Sequence, residues 1–235
     1  MTTLLALDTT LGACSVALFK NGVLLAERKE VRARGHVERL LPMVDEVIKE
    51  TEVVINGLSA IAVTVGPGTF AGVRIGLSAA KGMALALNIP LIPITTLEAL
   101  AYEFAKQEKN FTGKIAVAID ARRGELYFQI FDILDQNINP LTEAQAIPIQ
   151  LATTLVDANI GMIIGSGAHM VHSLVPDGKF KVSEDYQNPT AEIFGELTLQ
   201  YKEREMECDL VRPLYLRAPD AKLPAKNMKP TIKNE

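Results

Sequence analysis

The sequence predicts an α/β protein built from two copies of one strand–hairpin–helix unit. Short, unbroken apolar runs at Leu4-Leu5-Ala6-Leu7-Asp8, Ile61-Ala62-Val63-Thr64-Val65 and Ile115-Ala116-Val117-Ala118-Ile119-Asp120 read as buried strands. Helical patterns separate them. The order then repeats: Ile115 to Asp120 mirrors Leu4 to Asp8, an apolar strand ending on an acid. Met162-Ile163-Ile164, running into Gly165-Ser166-Gly167-Ala168, mirrors the run into Gly66-Pro67-Gly68. The two echoes come ~110 and ~100 residues after their first copies, in the same order. Two units are expected over 1–103 and 104–218, with a tail over 219–235.

The elements follow in chain order. Ser15 to Phe19 makes a second strand, and Asn21-Gly22 is a hairpin signal leading into Val23 to Glu27. Val37, Leu40, Leu41, Val44, Val47 and Ile48 fall on one stripe at helical period. After Ile61 to Val65 and its glycine turn, a helix runs to about Leu87 and is stopped by Asn88-Ile89-Pro90. Leu91 to Ile94 is a short strand. Thr95-Thr96-Leu97-Glu98 has capping-box spacing and starts the next helix. In the second unit, Ala121 to Gly124 turns the chain into a strand over Leu126 to Phe131. A polar linker follows Pro176-Asp177-Gly178. Asn188-Pro189 reads as an N-cap and first helical residue, opening a helix with Ile193, Phe194, Leu197 and Tyr201 inward. From Lys222 on, four lysines and two prolines offer nothing to bury, so a disordered tail is expected.

Composition excludes several classes. The 235 residues carry a net charge of −4, which gives no global basic field and disfavours RNA binding by the chain alone. Cys14 and Cys208 are far apart and lack metal spacing, as suits a reducing cytoplasm. The N-terminus has neither a basic segment nor a cleavage site, and no uninterrupted apolar stretch reaches 18 residues, so a cytoplasmic protein with no membrane span is expected.

Gly66 to Gly76 is the most informative stretch. Gly66-Pro67-Gly68-Thr69-Phe70-Ala71 formally fits a dinucleotide fingerprint, but it lies on an internal strand after a hairpin. No acid stands about 20 residues on, and Pro67 removes a donor. Close packing of the following helix is the favoured use of these glycines.

Asp8-Thr9-Thr10 and Asp120-Ala121-Arg122 each place an acid at a strand end before a hairpin. That arrangement can hold a magnesium–phosphate group, or simply close an Asx-turn. Glycine would be wanted two residues after the acid, and Thr10 and Arg122 stand there. His169 and His172 lack any His-Glu-x-x-His context, His36 sits where a helix begins, and Gly-x-Ser-x-Gly is absent. The helix from Phe70 to Leu87 is apolar nearly all round, broken by Arg74 and Lys81. It is either a central core helix or one shared between sheet and partner.

Taken together, Leu4–Thr10, Gly35-His36-Val37-Glu38-Arg39-Leu40-Leu41-Pro42, Gly66–Gly76, Thr95–Ala101, Asp120–Tyr127 and Pro213-Leu214-Tyr215-Leu216-Arg217 resemble the TsaB (YeaZ) family over nearly the whole chain. The resemblance implies two RNase-H-like lobes of the actin, sugar kinase and chaperone-ATPase superfamily. It also implies a non-catalytic accessory subunit in threonylcarbamoyladenosine synthesis on tRNA, with no catalytic residues, cofactor or metal of its own. The implied partners are the catalytic paralogue TsaD, the ATPase TsaE, a second copy when alone, and tRNA only within the complex.

In the family, the helices matched by His36–Thr51 and Phe70–Leu87 build the joining bundle. This implies an interface at Leu40, Leu41, Val44, Val73, Leu77, Ala80, Met83 and Ala84. A vestigial nucleotide site would use Asp8, Thr10, Asp120, Gly165 and Gly167. The alternative is a small-molecule kinase or ATPase of the same superfamily, against which Thr10 and Arg122 both count. A metallopeptidase is disfavoured by the absent zinc spacing.

Overall fold

In the computed structural model, which describes residues 2–157, 159–176 and 180–217, the chain opens with a meander of β1 (Thr3–Asp8), β2 (Ala13–Lys20) and β3 (Val23–Val31). Helix α1 (His36–Lys49) and a 3-10 turn (Ile55–Gly57) lead to β4 (Ala60–Thr64), α2 (Phe70–Leu87), β5 (Leu91–Ile94) and α3 (Thr96–Gln107). The second half contains β6 (Gly113–Arg122), β7 (Glu125–Leu134), β8 (Asn137–Pro140), β9 (Gln145–Pro148) and α4 (Ile149–Leu155). It closes with β10 (Ile160–Ile164), α5 (Ala168–Leu174), β11 (Lys181–Ser183) and α6 (Ala191–Leu199).

The duplication is visible in the topology. Among the described residues the first sheet runs β3-β2-β1-β4-β5 and the second β8-β7-β6-β10-β11, the same order read from the same edge. In each, the first three strands are antiparallel and the last two are parallel to the first. β9 is an addition that pairs with β7. These are two RNase-H-like lobes.

Helices α3 and α6 weld them. Leu97, Leu100 and Phe104 of α3 pack with Ile115, Val117 and Phe131 of the second sheet. Phe194 and Leu197 of α6 pack with Leu4, Ala6 and Phe19 of the first. The boundary expected after residue 103 therefore falls inside α3, and each half of the sequence lends a helix to the core of the other. The tail over 219–235 lies outside the described residues, as do Asp177 and Gly178 of the expected linker.

Local chemistry explains most boundaries. Thr95 and Glu98 form the expected reciprocal capping box, with bonds of 3.0 Å in each direction. Asn88 ends α2 in the left-handed conformation, φ 54°.

Tertiary contacts overrode two expectations. α6 starts at Ala191 after Thr190, because Asn188 is claimed elsewhere: its Oδ1 accepts the Gly12 N–H at 2.7 Å and its carbonyl accepts from Lys29. The buried stripe of α1 is His36, Leu40, Met43, Val44 and Val47, rotated from the expected one, which leaves Val37 and Leu41 exposed and Ile48 half-buried. His36, at the start of the helix where a capping or surface role is the default expectation, is buried.

Helix α2, with 18 residues and mean hydropathy 1.3, is long and apolar enough by length and composition to cross a membrane, although Arg74 and Lys81 interrupt it. In this fold it packs along β4 instead, with Val73, Leu77, Ala80 and Ala84 in the core.

Candidate functional site

The glycine string fastens α2 onto the β1–β2 turn. A Cβ on Gly68 would overlap the Thr10 carbonyl oxygen, and one on Gly72 would overlap that of Thr9. One on Gly76 would lie 2.7 Å from Thr9 Oγ1. The Thr69 N–H donates to Thr10 O at 2.8 Å and Thr9 Oγ1 donates to Gly72 O at 2.7 Å. Close helix approach is thus what these glycines serve, and the first turn of α2 occupies the space above the turn at the end of β1.

Asp8 is sealed beneath it. Its Oδ1 accepts from Thr10 N at 3.1 Å, Thr10 Oγ1 at 2.6 Å and Thr64 Oγ1 at 2.6 Å, while Oδ2 is buried without a partner. Burial raises its pKa, against the hydrogen bonds from Thr10 and Thr64 that lower it. A carboxyl whose folded pKa is raised contributes stability below its unfolded value of ~3.9 and loses it as pH rises through the folded value. At neutral pH the buried carboxyl is therefore a liability. Asp8→Asn should raise the melting temperature at pH 7, by roughly 2–4 °C for each kcal/mol recovered in a chain this size. The gain should shrink as pH falls toward ~4. Thermal melts across that range check it, and a lower melting temperature for the variant at pH 7 would contradict it.

The second lobe repeats the turn without the seal. Asp120 Oδ1 accepts the Arg122 N–H at 2.7 Å, the same i to i+2 Asx-turn that Asp8 makes with Thr10. Asp120 Oδ2 meets the Arg122 guanidinium at 3.1 Å, and its own N–H donates to Ser166 Oγ at 3.1 Å. Gly165, at φ 96°, and Gly167 press the start of α5 onto β6, where a Cβ on either would overlap Ala118 O and Leu126 respectively.

Between the lobes lies a cleft of about 950 Å³. Leu11, Gly12, Gly68, Thr69 and Phe70 line one wall. Ile119 to Arg123, Tyr127 and Ser166 line the other, with Asn188 and Arg217 at its edges. Of the five residues expected in a nucleotide site, Asp120 alone lines this cleft. Asp8 and Thr10 are buried under α2, and Gly165 and Gly167 serve packing. Gly167 lies against Asp120, where a Cβ on it would fall 3.3 Å from Asp120 N, whereas Asp8 and Thr10 sit apart from the cleft beneath α2.

The expected interface residues divide as well. Leu40, Val73, Leu77, Ala80 and Ala84 are buried inside the first lobe, and Val44, also buried, lines the floor of a groove on its surface. The sheet takes that stripe of the over-apolar α2. Leu41 is exposed and Met83 half-buried, and both line a separate groove of about 570 Å³ with Ile48, Val53, Val54 and Ile55. Among the described residues no group of three His, Cys, Asp or Glu could hold a metal. His169 instead lies 2.8 Å from Glu184. Cys14 is in the core, where burial pushes its thiol up to about 12.

Sequence reasoning singled out Pro213 to Arg217 for its family resemblance but not for its place at the border of the cleft. Leu214 N–H donates to Val65 O at 2.7 Å, Tyr215 OH accepts from Arg74 Nε at 2.8 Å, and Arg217 Nη1 donates to Ala121 O at 3.2 Å. No periodicity marks such a segment. Only its run of large side chains before the lysine-rich tail hints that it docks.

Two lobes of one topology around a cleft define a protein of the actin, sugar kinase and chaperone-ATPase superfamily. Residues 27–156 match the family model described as TsaD, tRNA N6-adenosine threonylcarbamoyltransferase. The chain is 43% identical to the tRNA threonylcarbamoyladenosine biosynthesis protein TsaB of Haemophilus influenzae, over 54% of this chain and 52% of that one. It is 37% identical to the protein of the same name from Escherichia coli, over 61% of each. The matched stretch thus spans between half and about three fifths of these relatives. The solved structure of YeaZ from Pseudomonas aeruginosa superposes with a TM-score of 0.79 at 31% identity, covering 92% of this chain and all of that one. The chain belongs to the TsaB (YeaZ) family.

Proposed function

We propose that this chain is a non-catalytic accessory subunit in the synthesis of threonylcarbamoyladenosine on tRNA. It acts in the cytoplasm by binding the catalytic paralogue TsaD, alongside the ATPase TsaE. The observation that carries this reading is the seal over the first lobe: α2 occupies the turn at Asp8 where a kinase or ATPase of this superfamily would hold phosphate. Asp120, across the cleft, is engaged by Arg122. Rapid ATP turnover by the isolated chain, abolished by Asp8→Ala, would overturn it in favour of a kinase or ATPase.

The docking face, in this reading, is the open side of α1 and α2. Val37, Leu41 and Leu85 are large apolar side chains left exposed there. Val54 and Ile55 extend the face across the groove beside Met83. Gly82 also faces open space, so a second helix can approach closely. The same face would meet a second copy when the chain is alone.

Leu85 is 72% exposed and Leu41 55% exposed, so Leu85→Arg and Leu41→Glu should leave the melting temperature within the ~0.5 kcal/mol scatter of surface changes. Each should weaken binding to the paralogue at least ~30-fold, the size expected when a central interface anchor worth ~2 kcal/mol is removed. Calorimetric titration against the purified paralogue measures this. Wild-type affinity in both variants would exclude this face.

A further inference from the structure

The two hairpin turns that face each other across the cleft differ in chemistry. The first is roofed by α2. The second stays open, and its tip is Arg122-Arg123-Gly124, with Arg122 at φ 67° and Arg123 at φ 58°. That left-handed conformation suits glycine or asparagine, and a turn serving shape alone would use them. Here it holds two consecutive arginines at the cleft wall. Arg122 is 85% exposed at its side chain, with Asp120 at 3.1 Å. Arg217 comes to the same wall, held by the Ala121 carbonyl and by Glu125 at 3.2 Å. A guanidinium has five N–H donors, so one already oriented by protein partners can keep others for a phosphate.

The opposite wall supplies an aromatic face. Phe70 is 60% exposed and lines the cleft. Its ring is held by the Arg74 guanidinium, 3.4 Å from the ring centre, and by Tyr215, stacked at 6.0 Å. A fixed, exposed ring facing guanidinium groups is the combination that accepts an unstacked base and its flanking phosphates. The volume, about 950 Å³, is at the upper end of the ~300–1,000 Å³ range of ligand pockets. With the chain at −4 overall, anion binding is confined to such a local patch.

We propose that the cleft binds a single-stranded RNA segment, with one base stacked on Phe70 and adjacent phosphates on Arg122 and Arg123. This rests on the reading that the chain serves tRNA modification, and it gives the chain a direct grip on the RNA in addition to its partner. No metal is required, because the guanidinium groups meet the phosphates and Asp120 is already paired.

The test is fluorescence anisotropy with a labelled anticodon stem-loop whose anticodon is followed by adenosine. It uses the full chain, alone and with the paralogue, over a series of salt concentrations. The double variant Arg122→Glu/Arg123→Glu should lower the slope of log K against log salt by ~0.7 for each phosphate no longer neutralised, ~1.4 in all. Phe70→Ala should weaken binding ~5- to 150-fold with the slope unchanged. Both variants alter exposed side chains and should keep wild-type melting and wild-type paralogue affinity.

Unchanged RNA affinity and slope in both variants would overturn the proposal. Displacement of the RNA by ATP would also overturn it, by making the cleft a mononucleotide site. If the wild-type chain fails to bind the paralogue, the accessory reading falls while the RNA titration still decides this one.

Discussion

Gly72→Ala should destabilise the first lobe by at least ~3 kcal/mol, as overpacking against rigid backbone does at its worst. The added methyl would overlap the Thr9 carbonyl oxygen and lie 2.5 Å from Thr69 Oγ1, the oxygen that caps α2. Neither can move alone. Thr9 is tied back to α2 through Gly72 O, and Thr10 O accepts from Thr69 N. Relief would require lifting α2 off the turn, which exposes Asp8 and the apolar face of β4. Gly82, on the same helix, is the control. A Cβ there meets nothing within 4 Å, so Gly82→Ala should stabilise by ~0.5–1 kcal/mol through the helix propensity of alanine. Denaturant titration of both variants checks the pair. Equal stability for the two would mean that the seal is not held by close approach at Gly72.

Ala80→Glu should unfold the chain at room temperature or bring it close to unfolding. Ala80 is 0% exposed, within the cluster formed by Leu5, Val16, Val63 and Leu77. A glutamate there would bury a charge among apolar neighbours, at a cost of several kcal/mol out of the ~5–15 that a domain of this kind has. Far-ultraviolet circular dichroism and urea titration measure it. A cooperative, wild-type-like transition would show that this face of α2 is not core. The contrast with Leu85→Arg, five residues along and 72% exposed, separates the two sides of the same helix.

The strand pattern, the repeat and the capping box at Thr95 were legible because each depends on residues near in sequence. Apolar runs of strand length specify buried strands whatever surrounds them, and the hairpin turn at Asn21-Gly22 does the same for β2 and β3. Short edge elements were not legible. β8, β9, α4 and β11 span three to seven residues each, too few for a period to show, and β8 is largely exposed.

At the cleft, sequence alone left two uses open for Asp8 and Asp120 and two for the glycine string. Asp8 and Asp120 carry the same local signal and form the same Asx-turn. What separates them is α2, brought over the first turn from more than fifty residues away. No local pattern records that approach, beyond the fact that four glycines stand where it happens.

By itself, then, the sequence determined an α/β chain with a duplicated strand order, because strand burial and hairpin turns are short-range and survive any packing. Which side of α2 is core, which turn is sealed and which stays open to solvent were decided only in the folded molecule. An apolar-all-round helix has no moment strong enough to orient itself. Its rotation follows from the glycines at 68, 72 and 76, which fit against Thr9 and Thr10 in one setting and so leave Leu85 outside and Ala80 within.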